Sequence, residues 1–246
     1  MKFRQMAAVA ATALVMCSLA ARPTFANYCN SNGCQINLSG HININNNWWG
    51  VSQGCSSGSQ DVWTSGSNNW GSNYNWSAGC NQYQVKTYPE AIDGWNWSSS
   101  FNGAPFPKQI SGGANLYTTA NNVYAGNGTQ DTIWDCFFSY SRNPGGSNPA
   151  HELEVWLTAS INPSGYRYTT TVDNVSYNVY YSYGSWGIIA YVPSYTSSRT
   201  VNIMHIAKDA CNHGYMSTNE YCLGIDFGTE IYHGSGSLNV GYYSAP

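Results

Sequence analysis

Two carboxylates and an indole recur at every second position of His151-Glu152-Leu153-Glu154-Val155-Trp156-Leu157. Side chains of an extended strand alternate between its two faces. Leu153, Val155 and Leu157 then share an apolar face fit for a core, while Glu152, Glu154 and Trp156 share the other. Carboxylates in line with a tryptophan do not make a stable core face. They do make the floor of a cleft for sugar: the indole meets the apolar face of a pyranose, and the carboxyls serve as acid, base or nucleophile at a glycosidic bond. A further carboxyl stands in the Gly-rich stretch Phe227-Gly228-Thr229-Glu230. Glu152 and Glu230 are therefore expected to face each other across one cleft.

The bland readings differ in weight. Acidic residues are depleted in strands, so Glu152 as an ordinary strand residue is the weaker alternative. Glu230 after Gly-Thr is equally compatible with loop chemistry. A lone Trp in a β protein is more often core than platform, but Trp156 shares its face with two Glu.

The elements that must position these groups are mostly strands. Asn115 to Tyr124, Thr132 to Tyr140, Glu152 to Ala159, Tyr166 to Val172, Ser176 to Tyr183 and Trp186 to Val192 alternate or carry β-branched and aromatic residues. Pro144-Gly145-Gly146 and Asn162-Pro163-Ser164-Gly165 separate some of them as turns. Tyr83 to Tyr88 is expected as a strand stopped by Pro89, and Tyr221 to Phe227 and Ser237 to Tyr243 as two closing strands. Arg199 to Asn212 carries a 3.6-residue apolar stripe, with Ser197 or Ser198 as a cap and Gly214 at C′. Many short strands with one late helix predict an all-β, two-sheet antiparallel jelly roll with a concave cleft and one α-helix.

Composition narrows the function. Charged residues make up 9% and the net charge is −3, which argues against nucleic-acid and anionic-membrane partners. Ten Trp and twenty Tyr suit a β core or a surface that stacks on carbohydrate. Lys2 and Arg4, the apolar run Met6 to Ala20 and Thr24-Phe25-Ala26 read as a secretory signal over 1–26, with one domain over 27–246. Eight Cys are present; Cys17 leaves with the signal, and in an oxidising compartment most of the rest should pair. Cys136 lies within an apolar strand and is expected free. The His and Cys spacings fit no metal site, so neither metal nor cofactor is expected.

Four blocks, in order, resemble glycoside hydrolase family 12, the small jelly-roll endoglucanases and xyloglucanases. They are Asn46-Asn47-Trp48-Trp49-Gly50, Trp134-Asp135-Cys136-Phe137, Glu152-Leu153-Glu154-Val155-Trp156-Leu157, and Phe227-Gly228-Thr229-Glu230 with Gly234-Ser235-Gly236-Ser237-Leu238-Asn239-Val240. The resemblance spans essentially the whole mature chain. It implies Glu152 as nucleophile, Glu230 as acid/base, Asp135 as the nucleophile's assistant, and Asn47, Trp49 and Trp156 as sugar contacts. Glu154 stands where that family usually has Met, adding a substrate-facing carboxylate. Two residues from Glu152 on one strand face, its charge is expected to raise the acidic limb of activity.

The resemblance also implies a Cys29–Cys55 bridge. Cys211–Cys222 and Cys34–Cys80 are expected beside it. The expected protein is a secreted, monomeric, retaining endo-β-1,4-glucanase acting on β-1,4-linked glucan: β-glucan, amorphous cellulose or xyloglucan. The alternatives are an endo-β-1,4-xylanase and a non-catalytic carbohydrate-binding protein on the same fold.

Overall fold

A computed structural model describes residues 27–66, 68–97 and 105–246. The expected signal segment, 1–26, lies outside them. In chain order the strands are β1 Asn27–Cys29, β2 Gln35–Ser39, β3 Ile42–Asn47, β4 Gly58–Gly66, β5 Asn69–Trp76, β6 Tyr88–Gly94 and β7 Lys108–Gln109. After a short 3-10 turn come β8 Tyr117–Ala125, β9 Thr129–Ser139, β10 His151–Ala159, β11 Tyr166–Val172, β12 Val175–Tyr183, β13 Gly187–Pro193 and β14 Arg199–Asn202. Helix α1, Ile203–Asn212, precedes the last strand, β15, Tyr221–Ser244.

The two sheets of the jelly roll share β15. The concave sheet runs β2-β3-β6-β15-β9-β10-β13-β12-β11, with β7 beside the start of β15. The outer sheet runs β1-β4-β5-β15-β8-β14. Its pairs are antiparallel, and in the concave sheet only β10 and β13 run parallel, His151 opposite Gly187 through Val155 opposite Tyr191. β15 is 24 residues long and leaves the concave sheet for the outer one near Gly234, whose φ of 103° lies where L side chains are strained. The sequence suggested two closing strands because apolar alternation lapses over His233 to Gly236; the hydrogen-bonded strand continues through that lapse.

Alternation places the core between the sheets. Trp134, Cys136 and Phe138 of β9, Leu153, Val155 and Leu157 of β10, and Ile225 and Phe227 of β15 meet Val62, Trp70, Ala120, Val123, Leu238, Val240 and Tyr243 from the outer sheet. The Phe227 ring lies 4.9 Å from Trp134 and 5.2 Å from Tyr243, centroid to centroid. Helix α1 closes one end by burying Ile203, Met204, Ile206, Ala207 and Ala210.

Several local expectations change. The helix starts at Ile203, not Arg199; Val201 and Asn202 instead pair with Thr118 and Tyr117 in β14, because a β-branched run next to a sheet edge gains ladder bonds there. Asn202 is the N-cap residue, while Gly214 takes positive φ just beyond the last turn. Residues 83–87 are loop, and the strand begins at Tyr88 and runs through Pro89, whose missing N–H is tolerated near a strand start. Trp63 of β4 lies over Gly71 of β5, where a Cβ would come within 2.4 Å of the indole. Packing of that kind, invisible to alternation, hid the strand character of β5.

The bridges are Cys29–Cys34 and Cys55–Cys80, leaving Cys136, Cys211 and Cys222 as thiols. The expected Cys29–Cys55, Cys34–Cys80 and Cys211–Cys222 pairs are thus replaced, and the expectation for Cys136 holds. Cys29 lies near Cys34 because β1 and β2 are joined by a short turn, whereas Cys222 is committed to β15 with its thiol against Gly224. Non-reducing peptide mapping should recover Cys29–Cys34 and Cys55–Cys80, and alkylation after denaturation should label three thiols. A bridged Cys211 would contradict this arrangement.

Candidate active site

The concave sheet carries an open cleft of about 1350 Å³. Asn47, Trp49, Asp135, Glu152, Glu154, Trp156 and Glu230 all line it, so one cleft gathers every site residue expected from sequence. Strand alternation does this: the apolar faces of β9, β10 and β15 fill the core, and the opposite faces point outward together.

Cross-strand register sets the chemistry. Glu154 of β10 lies opposite Asp135 of β9, which lies opposite Asp226 of β15. Further along, Asp131 of β9 lies opposite Glu230 of β15. Asp226 accepts from Asn96 Nδ2 at 2.8 Å. Glu90 of β6 accepts from Asn45 Nδ2 at 3.0 Å and Asn47 Nδ2 at 3.1 Å. Asn47 also accepts the Trp49 N–H through its Oδ1 at 3.1 Å, so its amide orients two neighbours before any sugar arrives.

Glu152 has the best-furnished carboxyl. Trp186 Nε1 donates to its Oε2 at 2.5 Å, and Asp135 donates a further hydrogen bond. Burial pushes Glu152 above the usual carboxylate range, and both donors pull it back down. Asp135 is held far higher, first by burial and then by the charges of Glu152 and Glu154. It therefore keeps its proton and shares it with Glu152.

Glu154 is pushed up to about 8 by burial and then by the charge of Glu152, against the Trp156 Nε1–H donated at 2.7 Å. The cost of two close charges thus falls on Glu154. This alters the expected effect on the acidic limb, because Glu154 is still protonated where Glu152 ionises. Glu230 is held well above its ordinary range by burial, then by Asp131, Glu154 and Glu152, while Tyr232 counters weakly.

Aromatic walls complete the cleft. Trp97 packs on Trp186 at 5.7 Å and on Phe137 at 4.8 Å between ring centroids. Trp49 is half exposed at the other end and Tyr83 stands almost free on the rim, while Trp156 is buried against Tyr88, Ile133 and Ala190 with one face toward the cleft. Trp48 is part-buried against Trp76. Sequence reading missed Glu90, Asp131, Trp186 and Tyr232. Glu90 was hidden by the misread start of β6, and Asp131 and Tyr232 lie just outside the recognised blocks. Trp186 reaches Glu152 only through the parallel pairing of β10 with β13.

An all-β jelly roll whose concave face presents paired carboxyls and stacking aromatics defines a carbohydrate-active enzyme of the glycoside hydrolase type. The profile described as Glycosyl hydrolase family 12 matches residues 40–246, and the chain belongs to that family. Endoglucanase S of Pectobacterium parmentieri is 29% identical over 181 residues, 68% of each chain. The family 12 xyloglucanase from Bacillus licheniformis superposes with a TM-score of 0.81 at 24% identity, over 89% of this chain and 99% of that one. Trichoderma harzianum Endoglucanase 3 superposes with a TM-score of 0.77 at 25% identity, over 92% and 99%.

Two outcomes follow. Trp186→Phe removes a donor that favours ionised Glu152, so that carboxyl should ionise at higher pH and the acidic limb of kcat/KM should move up; a limb unmoved within error would show that the contact carries no such weight. Glu90 and Glu154, pushed up to about 8, bind protons more tightly folded than unfolded, where a carboxyl titrates near its ordinary value of 4.5. Their contribution to stability is complete below that unfolded value and is lost as pH rises through about 8. Tm should therefore fall across this window, and the double variant Glu90→Gln/Glu154→Gln should flatten the fall.

Proposed function

We propose that the protein is a retaining endo-β-1,4-glucanase that cuts internal bonds of soluble β-glucan, amorphous cellulose or xyloglucan. The observation that carries this reading is the unequal furnishing of two carboxyls in one cleft. Glu152 has two donors that favour its ionised form, and Glu230 has acidic neighbours that favour its protonated form. Such a difference is what double displacement requires of its nucleophile and its acid.

In the first step a Glu152 oxygen attacks the anomeric carbon as the bond to the glycosidic oxygen breaks, and Glu230 gives that oxygen its proton. Asp135 holds the attacking carboxylate by its shared proton. In the second step Glu230, now ionised, takes a proton from water, the water oxygen attacks the same carbon, and the ester to Glu152 breaks. Two inversions give net retention. Trp156 and Trp49 supply faces for pyranose rings, and Asn47 supplies its remaining amide hydrogen. The cleft runs open across the sheet, which suits a chain bound at its middle. The two disulfides fit secretion into an oxidising compartment, and the enzyme is expected to work as a monomer.

Reducing ends released from β-glucan, xyloglucan and xylan, with NMR of the first-formed anomer, test the reading. Glucans should be cut with retention, and Glu152→Gln should lose about 10³-fold or more of kcat while folding normally. Inversion, activity on xylan alone, or a Glu152→Gln variant within about tenfold of the parent would overturn it.

A further inference from the structure

Glu90 of β6 lines the cleft beside Asn47 of the neighbouring strand β3. Both hydrogen bonds it accepts fall on one oxygen. Asn45 Nδ2 at 3.0 Å and Asn47 Nδ2 at 3.1 Å reach Oε1, and both donors come from β3. Among the described residues nothing bonds Oε2. Gly228, directly opposite on β15, offers no side chain to cover it. Asn45 Oδ1 and Asp226 Oδ1 are sealed without partners, whereas Oε2 keeps an opening to the cleft. A buried side chain thus has one oxygen tied down and the other unpartnered at the cleft surface. Serving two amides needs only the first; the second is free for a ligand, and an unpaired polar atom in such a place favours one.

The chemistry of that ligand follows from what lies beside Oε2. The Oδ1 of Asn47 is taken by the Trp49 N–H, and one of its two amide hydrogens is taken by Glu90. One amide hydrogen remains. The free Asn47 hydrogen and the free Glu90 oxygen flank the same Oε1. Two polar groups that close together suit two hydroxyls on adjacent ring carbons. Within a β-1,4-linked glucan the one such pair on an internal unit is the 2,3-diol, both hydroxyls equatorial. A hydroxyl donates and accepts, so it can bond Oε2 whether or not that oxygen carries a proton.

We propose that Glu90 is a substrate-binding residue: with Asn47 it grips the 2,3-diol of one glucosyl unit, Oε2 on one hydroxyl and the Asn47 amide hydrogen on the other. This rests on the reading of the cleft as a glucan site. The pair is held in advance, Glu90 by Asn45 and Asn47, and Asn47 at both ends of its amide. Little side-chain freedom is then lost when the sugar arrives.

Binding is measured on the full chain carrying Glu152→Gln, so that turnover does not intrude. Adding Glu90→Met should weaken calorimetric binding of cellotetraose about tenfold, the loss of one hydrogen bond. Glu90→Gln keeps an acceptor for both amides and puts an N–H where Oε2 stood, so affinity should stay within about threefold. With Glu152 intact, Glu90→Met should raise KM on β-glucan about tenfold and leave kcat within about twofold, because a contact made equally in ground and transition states is lost. Disturbed packing would lower kcat as well. Crystals of the Glu152→Gln protein soaked with cellotetraose need no change at position 90, and should show one glucosyl unit with its 2- and 3-hydroxyls on Glu90 Oε2 and Asn47 Nδ2.

An ordered sugar in the cleft with no hydroxyl on Oε2 overturns the proposal. So does a Glu90→Met protein with unchanged affinity, one that loses kcat rather than KM, or equal losses in the Met and Gln proteins. A parent chain that releases no reducing ends from any glucan instead overturns the glucan reading itself.

Discussion

The molecule depends on one strand being shared. β15 pairs with β9 and β6 in the concave sheet and, after turning near Gly234, with β5 and β8 in the outer one. Both sheets must therefore keep their relative position for either to keep its ladder. The first half of β15 buries Ile225 and Phe227 while presenting Asp226 and Glu230 on the opposite face. Register with β9 and β10 is then fixed twice, by core packing and by hydrogen bonds. A slip of one residue would send Glu230 into the core and Phe227 into the cleft. The position of the proposed acid relative to the proposed nucleophile is thus a consequence of packing on the hidden face.

Much of this was legible because alternation reports burial directly. In His151 to Leu157 the apolar and acidic residues separate cleanly, and the strand lies where the pattern put it. Glu230 was weaker on physical grounds alone, and only its surrounding block made it stand out. What remained hidden was set by distant partners. Trp186 matters because parallel pairing delivers β13 to β10, and no local pattern announces a parallel neighbour. The bridges depended on which turns bring cysteines close, and the short return between β1 and β2 outweighed any longer-range match. Glu90 hid behind Pro89, since proline ordinarily ends a strand and here sits near the start of one.

The concave face carries Glu90, Asp131, Asp135, Glu152, Glu154, Asp226 and Glu230, all of them buried except the half-buried Glu230. Among the described residues no ion pair reaches any of them. Counter-charge is absent there, so protons and neutral donors do its work. Asn45 and Asn47 serve Glu90, Asn96 serves Asp226, and indole N–H groups serve Glu152 and Glu154. Neutral donors stabilise a carboxylate without fixing a cation in a cleft meant for an uncharged polymer. They also leave the groups electrically coupled, so the face titrates as a set.

That coupling is what separates the roles of chemically similar groups. A carboxyl with strong donors ionises first, and its charge then suppresses the others. Glu152 meets that condition through Trp186 and Asp135, and its ionisation is itself a cause of the raised state of Asp135, Glu154 and Glu230. The proposed nucleophile thus helps to keep the proposed acid protonated without touching it. In the proposed cycle, once Glu152 is consumed in the glycosyl ester its charge disappears, and the restraint on Glu230 loosens at the step where Glu230 acts as a base. In that proposed cycle the charge on one strand drives the change of role on another, through electrostatics that the rigid register of β9, β10 and β15 holds at constant range.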